Sequence, residues 1–227
     1  MRNGRTLAAV GLGTAAAVAV GQYLGRVAGS TRAERRTALP GDDLVRHPTV
    51  ATDHAVDIAA APEDVWPWLT QMGWHRAGWY TPRWVDRLLF PANLPSADRL
   101  VGELLRDLTP GDEIPDGPPG TAHFVIVRAD APHLLVLRST THLPTAWRDR
   151  LGAGIDWTWT FVLTPRPDGS RLHLRVRGRT SPWWLTAAYV AALVPADYVM
   201  ALGMLRGIER RVVSTRRTPT AEPVTTP

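Results

Sequence analysis

Residues 61–80 read APEDVWPWLTQMGWHRAGWY, a short helix that runs straight into a glycine- and tryptophan-rich loop. Pro62 suits the first helical position, and Glu63 and Asp64 follow where the helix dipole favours negative charge. Val65, Trp68, Leu69 and Met72 recur at i, i+3, i+4 and i+7, so they share one face. Pro67 falls early enough to remove few hydrogen bonds, because the N–H groups of a first turn are unpaired anyway. Gly73 is placed to end the helix as a left-handed cap. A short helix with side chains this large must be covered, and what covers it decides the fold.

The chain downstream supplies the partner surface. Residues 155–163 and 171–179 form a hairpin around Pro167-Asp168-Gly169. Ile155, Trp157, Trp159, Phe161 and Leu163 point one way, and Asp156, Thr158 and Thr160 the other. On the partner strand Leu172, Leu174 and Val176 alternate with Arg171, His173, Arg175 and Arg177. That alternation predicts an antiparallel sheet with one apolar face and one face wetted by solvent. Residues 52–59 alternate likewise, with His54, Val56 and Ile58 on one side. Residues 122–129 and 134–139 predict another hairpin, and 110–115, PGDEIP, a brief edge strand. Residues 84–90 read as a second short helix. From Ala196 to Val213, Tyr198, Ala201, Leu205, Ile208 and Val212 fall at spacings of three and four, with Asp197 elsewhere on the wheel. This predicts a long amphipathic helix over the apolar face.

The 227-residue chain is long enough for a full core. All 26 basic residues are arginine, with clusters near both ends, and the net charge of +5 comes with no basic stripe interleaved with stacking aromatics in the central region. Nucleic acid is therefore not an expected partner. Without cysteine, disulfides, thiolate catalysis and cysteine-type zinc sites are excluded. Residues 7–25 carry no charge and would span about 28 Å as a helix, close to a bilayer core. Residues 1–29 thus read as a membrane anchor, with a cleaved signal as the rival reading at Val27-Ala28-Gly29. Four arginines on the C-terminal flank against two on the N-terminal side place the main domain on the cytoplasmic side. Residues 30–50 read as a linker, 51–213 as the folded domain and 214–227 as a disordered tail. Residues 182–205 hold a single charge, Asp197. They read as a buried segment or an apolar lid; Pro195 in mid-span opposes a second membrane crossing.

The motifs VWPWLTQMG (65–73), GWY (78–80), SADR (96–99), PGDEIP (110–115) and MLRGIERR (204–211), in this element order, resemble the SRPBCC superfamily. That group includes START lipid-transfer, birch-pollen-allergen and polyketide cyclase/dehydrase types, and the nearer resemblance is to an actinobacterial group within it. The resemblance covers roughly residues 38–213. It implies an α+β helix-grip fold, a curved antiparallel sheet wrapped around the long C-terminal helix with an apolar cavity between them. It implies a small hydrophobic or lipid-like ligand in that cavity. A cyclase/dehydrase-like enzyme and a membrane-tethered partner-binding module are the alternatives.

The aromatic residues are the leading site candidates. Trp79, Tyr80 and Trp84 follow the first helix, Trp157 and Trp159 lie on the apolar sheet face, and Tyr80 and Tyr198 offer polar handles. Met72, Phe124, Ile126, Phe161 and Leu205 complete the expected ligand-binding set. Any one of these side chains reads equally well as core; the resemblance is what makes the set a cavity wall. His54, His123 and His142 lack ligand spacing, so neither metal nor other cofactor is expected. His75 and Arg76 sit in the loop after the first helix, where an anionic ligand group would meet them. Asp98, Asp112, Glu113 and Asp156 are scattered, and no G-x-S-x-G, Walker or dinucleotide motif occurs. No catalytic residue is assigned.

Overall fold

Strand β6 (Gly169–Ser181) pairs along its whole length with β5 (Gly154–Arg166) and forms the spine of a six-stranded antiparallel sheet. The computed structural model describes the backbone of residues 2–217 and the side chains of 13–217. The tail from Thr218 lies outside the described residues. Beside β6 lies β1 (Val50–Ile58). Beyond β5 come β4 (Leu134–Ser139), β3 (His123–Asp130) and the short edge strand β2 (Glu113–Pro115), in the order β1-β6-β5-β4-β3-β2.

The alternation dictates which face is dry. Phe161, Leu163, Leu172 and Leu174 are buried on the inner face, where helix α7 (Val194–Arg217) covers them with Ala201, Leu205, Ile208 and Val212. Helix α3 (Pro62–Thr70) closes the same core with Val65, Trp68 and Leu69. Each large apolar side chain buried this way stabilises the fold by about 1.5–3 kcal/mol. The short helix α4 (Arg83–Leu89) follows on the outside, and a second short outer helix, α5 (Thr145–Leu151), comes after β4. One local expectation is corrected: Gly73 does not cap α3, which ends on Gln71 with φ −92°. Gly73 instead donates its N–H to Gly78 O and closes the loop that follows.

The outer face is not wetted as the alternation suggested. Arg171, His173 and Arg175 are buried there beneath residues 29–46. Arg171 bonds Glu34 through Nε (2.8 Å) and Nη2 (3.0 Å), and also bonds Asp57 and Gly29 O. Arg175 bonds Asp53, Asp42, Thr37 O and Glu34 O, and His173 Nε2 lies 2.8 Å from Asp53 Oδ1. Arg177 donates to Val45 O. The segment read as a linker is thus strapped across the sheet, with helix α2 (Arg32–Arg36) capped by Thr31 in its middle.

Helix α1 (Arg2–Val27) reaches the domain at its C-terminal end. Gln22 donates to Val190 O, and Gly25 lets the backbones meet: a Cβ there would lie 1.7 Å from Val194 O. Residues 13–20 stay exposed. With the last turns docked, the uncharged stretch 7–20 amounts to about 21 Å of helix, against about 30 Å for a bilayer core. The N-terminal transmembrane helix expected from the sequence is not supported by the described residues. Among the described residues, one helical stretch, Trp183–Arg216, is long and apolar enough to cross a membrane by length and composition. Its second half is the core-covering part of α7, a role that accounts for the same apolarity.

Candidate functional site

A cavity of about 290 Å³ lies between the inner sheet face, the start of α7 and the loop through Trp79–Thr81. Its walls are mostly apolar. Trp79, Phe124 and Trp159 form one aromatic cluster, with Phe124–Trp159 centroids 4.8 Å apart and Trp79–Trp159 5.5 Å. Trp157 meets Tyr189 at 5.4 Å; Tyr189 lies in a π-helical turn (Tyr189–Leu193) that links α6 (Trp183–Ala188) to α7. Burial raises the Tyr189 phenol above its ordinary pKa. Ala201, Met200 and Met204 close the helix side.

Of the residues singled out from the sequence, Trp79, Phe124, Trp157 and Trp159 line this cavity. Met72, Tyr80, Ile126, Phe161 and Leu205 lie in the solid core instead. Tyr80 is fixed there because its hydroxyl donates to Trp68 O and accepts from Gln71 Nε2, and burial drives its pKa upward. Trp84 and Tyr198 are on the outer surface. Tyr198 lies there because its neighbour Asp197 takes the inward phase of α7. His75 bonds Asn93 and Ala92 O, and Arg76 bonds Met72 O and Thr70 O, so both serve the loop they sit in.

The sequence reading missed the polar groups in the cavity: Asp116, His142, Asp197, Thr52 and Thr81. His142 is set by a chain of hydrogen bonds. Thr141 Oγ1 donates to His123 O (3.0 Å) and lies 3.1 Å from Ser139 Oγ. Ser139 Oγ accepts from Thr141 N–H (3.1 Å) and lies 2.7 Å from His142 Nδ1. On the other side His142 Nε2 lies 2.7 Å from Asp116 Oδ2. At the far end of the cavity Thr52 Oγ1 donates to Asp197 Oδ2 (2.6 Å), with His54 Nε2 at 3.1 Å from the same oxygen. Trp79 Nε1, in a residue 8% exposed, is buried with no partner among the described residues. An imidazole–carboxylate pair and a second carboxylate thus face an otherwise apolar space. No group of three or more metal-ligating side chains occurs among the described residues.

The sheet gripping α7, with the cavity between them, is the arrangement that the sequence motifs implied. The chain is SRPBCC-like in fold. No protein-family profile matches it, and no curated protein does. Solved structures similar to this SRPBCC-like chain include a norcoclaurine synthase point mutant of Thalictrum flavum, bound to a transition-state analogue. It is 13% identical with TM-score 0.42, over 74% of this chain and 96% of that one. A polyketide-cyclase-like protein of Corynebacterium glutamicum is 12% identical with TM-score 0.42, over 78% and 98%. A di-domain ARO/CYC protein of the steffimycin biosynthetic pathway is 16% identical with TM-score 0.46, over 78% and 54%. At such scores these likenesses say nothing of activity, and the fold reading rests on the sheet and helix themselves.

Proposed function

We propose that this protein binds a small, mainly apolar molecule in the cavity between its sheet and C-terminal helix. The observation that carries the reading is the aromatic-walled space itself, left open where the rest of the inner face is filled. Affinity comes from burial of apolar ligand surface, about 25 cal/mol per Å² before ordering costs. A polarity-sensitive dye should bind the purified chain saturably. Ala201 lines the cavity from α7, so Ala201→Phe fills it and should weaken the dye about tenfold or more. Unchanged binding by that variant would place the dye elsewhere and end the proposal.

The exposed, uncharged turns of α1, together with the exposed Trp183 (80%), Trp184 and Leu193, favour contact with a membrane surface. The basic flank at Arg26, Arg32, Arg35 and Arg36 suits anionic headgroups, and by the charge bias that surface is the cytoplasmic one. The chain should co-sediment with vesicles of phosphatidylcholine and phosphatidylglycerol, and a Trp183→Ser/Trp184→Ser double variant should do so several-fold less. If the double variant sediments like the parent, the face is assigned wrongly.

The hydrogen-bonded Asp116–His142 pair at the cavity wall favours a second reading, a cyclase/dehydrase-like enzyme that moves a proton on a bound carbonyl compound. With 2-tetralone in D₂O, the chain should speed α-proton exchange seen by NMR. His142→Gln should lower that rate by about 10²-fold. Equal rates for parent and variant would remove the mechanism and leave binding alone.

A further inference from the structure

The two carboxylates that face the cavity are not equivalent. Asp116 Oδ2 lies 2.7 Å from His142 Nε2, and that imidazole has a partner, Ser139 Oγ, on its other nitrogen as well. Asp197 meets a different kind of imidazole. Its Oδ2 takes the Thr52 hydroxyl proton and the His54 Nε2–H. His54 is fully buried, and its Nδ1 has no partner. In a neutral imidazole that orphan is only an unused lone pair, whereas in an imidazolium it would be a buried N–H with no acceptor, the costlier state. His54 is therefore the neutral donor, and Asp197 keeps its full negative charge.

The other oxygen, Asp197 Oδ1, has no hydrogen-bond partner among the described residues, and the side chain is 24% exposed at the cavity wall. Among the described residues no arginine lines the cavity, and the chain has no lysine to reach it. The sheet register places Thr52 beside Val176 and Val176 beside Trp159, so the charge sits two strands from the indole wall. A neutral apolar ligand entering here would strip water from that carboxylate and return nothing for it. An ammonium group returns a charge-assisted hydrogen bond.

We infer that the ligand class of this cavity is an amine: a cationic nitrogen on a small apolar ring scaffold, held by Asp197 Oδ1 with its ring system against Trp157 and Trp159. Thr52 and His54 are positioning residues, since both bind the same carboxylate oxygen and turn the other one toward the ligand. The inference rests on the cavity being the binding site proposed above.

Three probes on one skeleton test it: 2-aminotetralin, 2-tetralol and tetralin-2-carboxylate, titrated against the full chain by tryptophan fluorescence. The amine should bind about tenfold tighter than the alcohol, with the acid weakest. Asp197→Asn should cost the amine about tenfold and leave the alcohol within about twofold. Amine and alcohol binding equally, or the acid binding best, overturns the inference while the cavity reading stands. Asp197→Asn weakening amine and alcohol alike assigns Asp197 to structure only and overturns it too. If that variant fails to fold, the order of the three probes on the unaltered chain decides. Binding by none of them overturns the cavity reading, and this inference with it.

Discussion

Arg175→Ala should cost the fold about 3–5 kcal/mol, the range for removing one partner from a buried ion pair. The residue is 4% exposed and spends its donors on Asp53, Asp42 and the carbonyls of Glu34 and Thr37. Truncation strands the Asp53 carboxylate under the strap. Burial alone would raise the pKa of Asp53; His173 and Arg175 outweigh it and hold the group below its ordinary value. Removing Arg175 deletes part of that compensation and leaves the desolvation. The denaturation midpoint in urea measures the loss. Arg83→Ala is the control, because its bond to Asp98 joins two exposed side chains and pairs of that kind contribute about 0–1 kcal/mol. Equal shifts for the two variants would mean that the strap is not held by its charges.

The same clasp gives the fold an acid limit. Burial works to raise Glu34, but its bonds with Arg171 and Thr31 prevail and lower it from 4.5 to about 2. A carboxyl lowered by folding adds stability that is complete above its unfolded value and disappears as the pH falls through the folded one. The contribution of Glu34 is therefore intact above pH 4.5 and fades toward pH 2, and because the side chain is partly exposed, solvent screening reduces its size. Residues 29–46 should become protease-sensitive in that window ahead of the core.

The parts of the fold that were legible are those with a local period. The alternation Ile155–Leu163 against Leu172–Val176 marked the dry face, and spacings of three and four marked α7. The strap left no such mark, because Arg175 meets Asp42 and Asp53 across 133 and 122 residues. A run of alternating arginines looks the same whether water or backbone carbonyls receive it. Helical period alone also left Asp197 and Tyr198 ambiguous, since either begins a series through Ala201, Leu205, Ile208 and Val212. Polarity argued for turning Asp197 outward, and Thr52 and His54, donors from a strand some 145 residues away, are what turn it in. Asp116 and His142 were likewise unreadable as a pair: each is an ordinary loop residue until β3 and β4 bring the two loops together.

Gly207→Ala should destabilise the protein by about 1–3 kcal/mol, although alanine is worth about 1 kcal/mol more than glycine inside a free helix. A Cβ at Gly207 would lie 2.0 Å from Tyr80 O, a separation that requires backbone to move. The Tyr80 loop resists moving. Tyr80 is fully buried at φ 57°, its N–H bonds Ser96 Oγ, its hydroxyl bonds Trp68 O, and Arg211 stacks over its ring at 5.0 Å. One turn earlier on α7, Gly203 would put a Cβ 2.7 Å from Pro82 Cδ, so the helix has no slack in that direction either. Since α7 and this loop are two walls of the cavity, forcing them apart also moves Trp79 and Thr81 away from Ala201 and Met204. Loss of dye affinity should therefore accompany the lowered Tm. Gly13→Ala separates helix propensity from contact, because nothing lies within 4 Å of a Cβ there. It should be neutral or stabilising. A Gly207→Ala protein as stable as its parent would show that the close approach of α7 to Tyr80 is not required, and the cavity walls would then have to be held by the sheet alone.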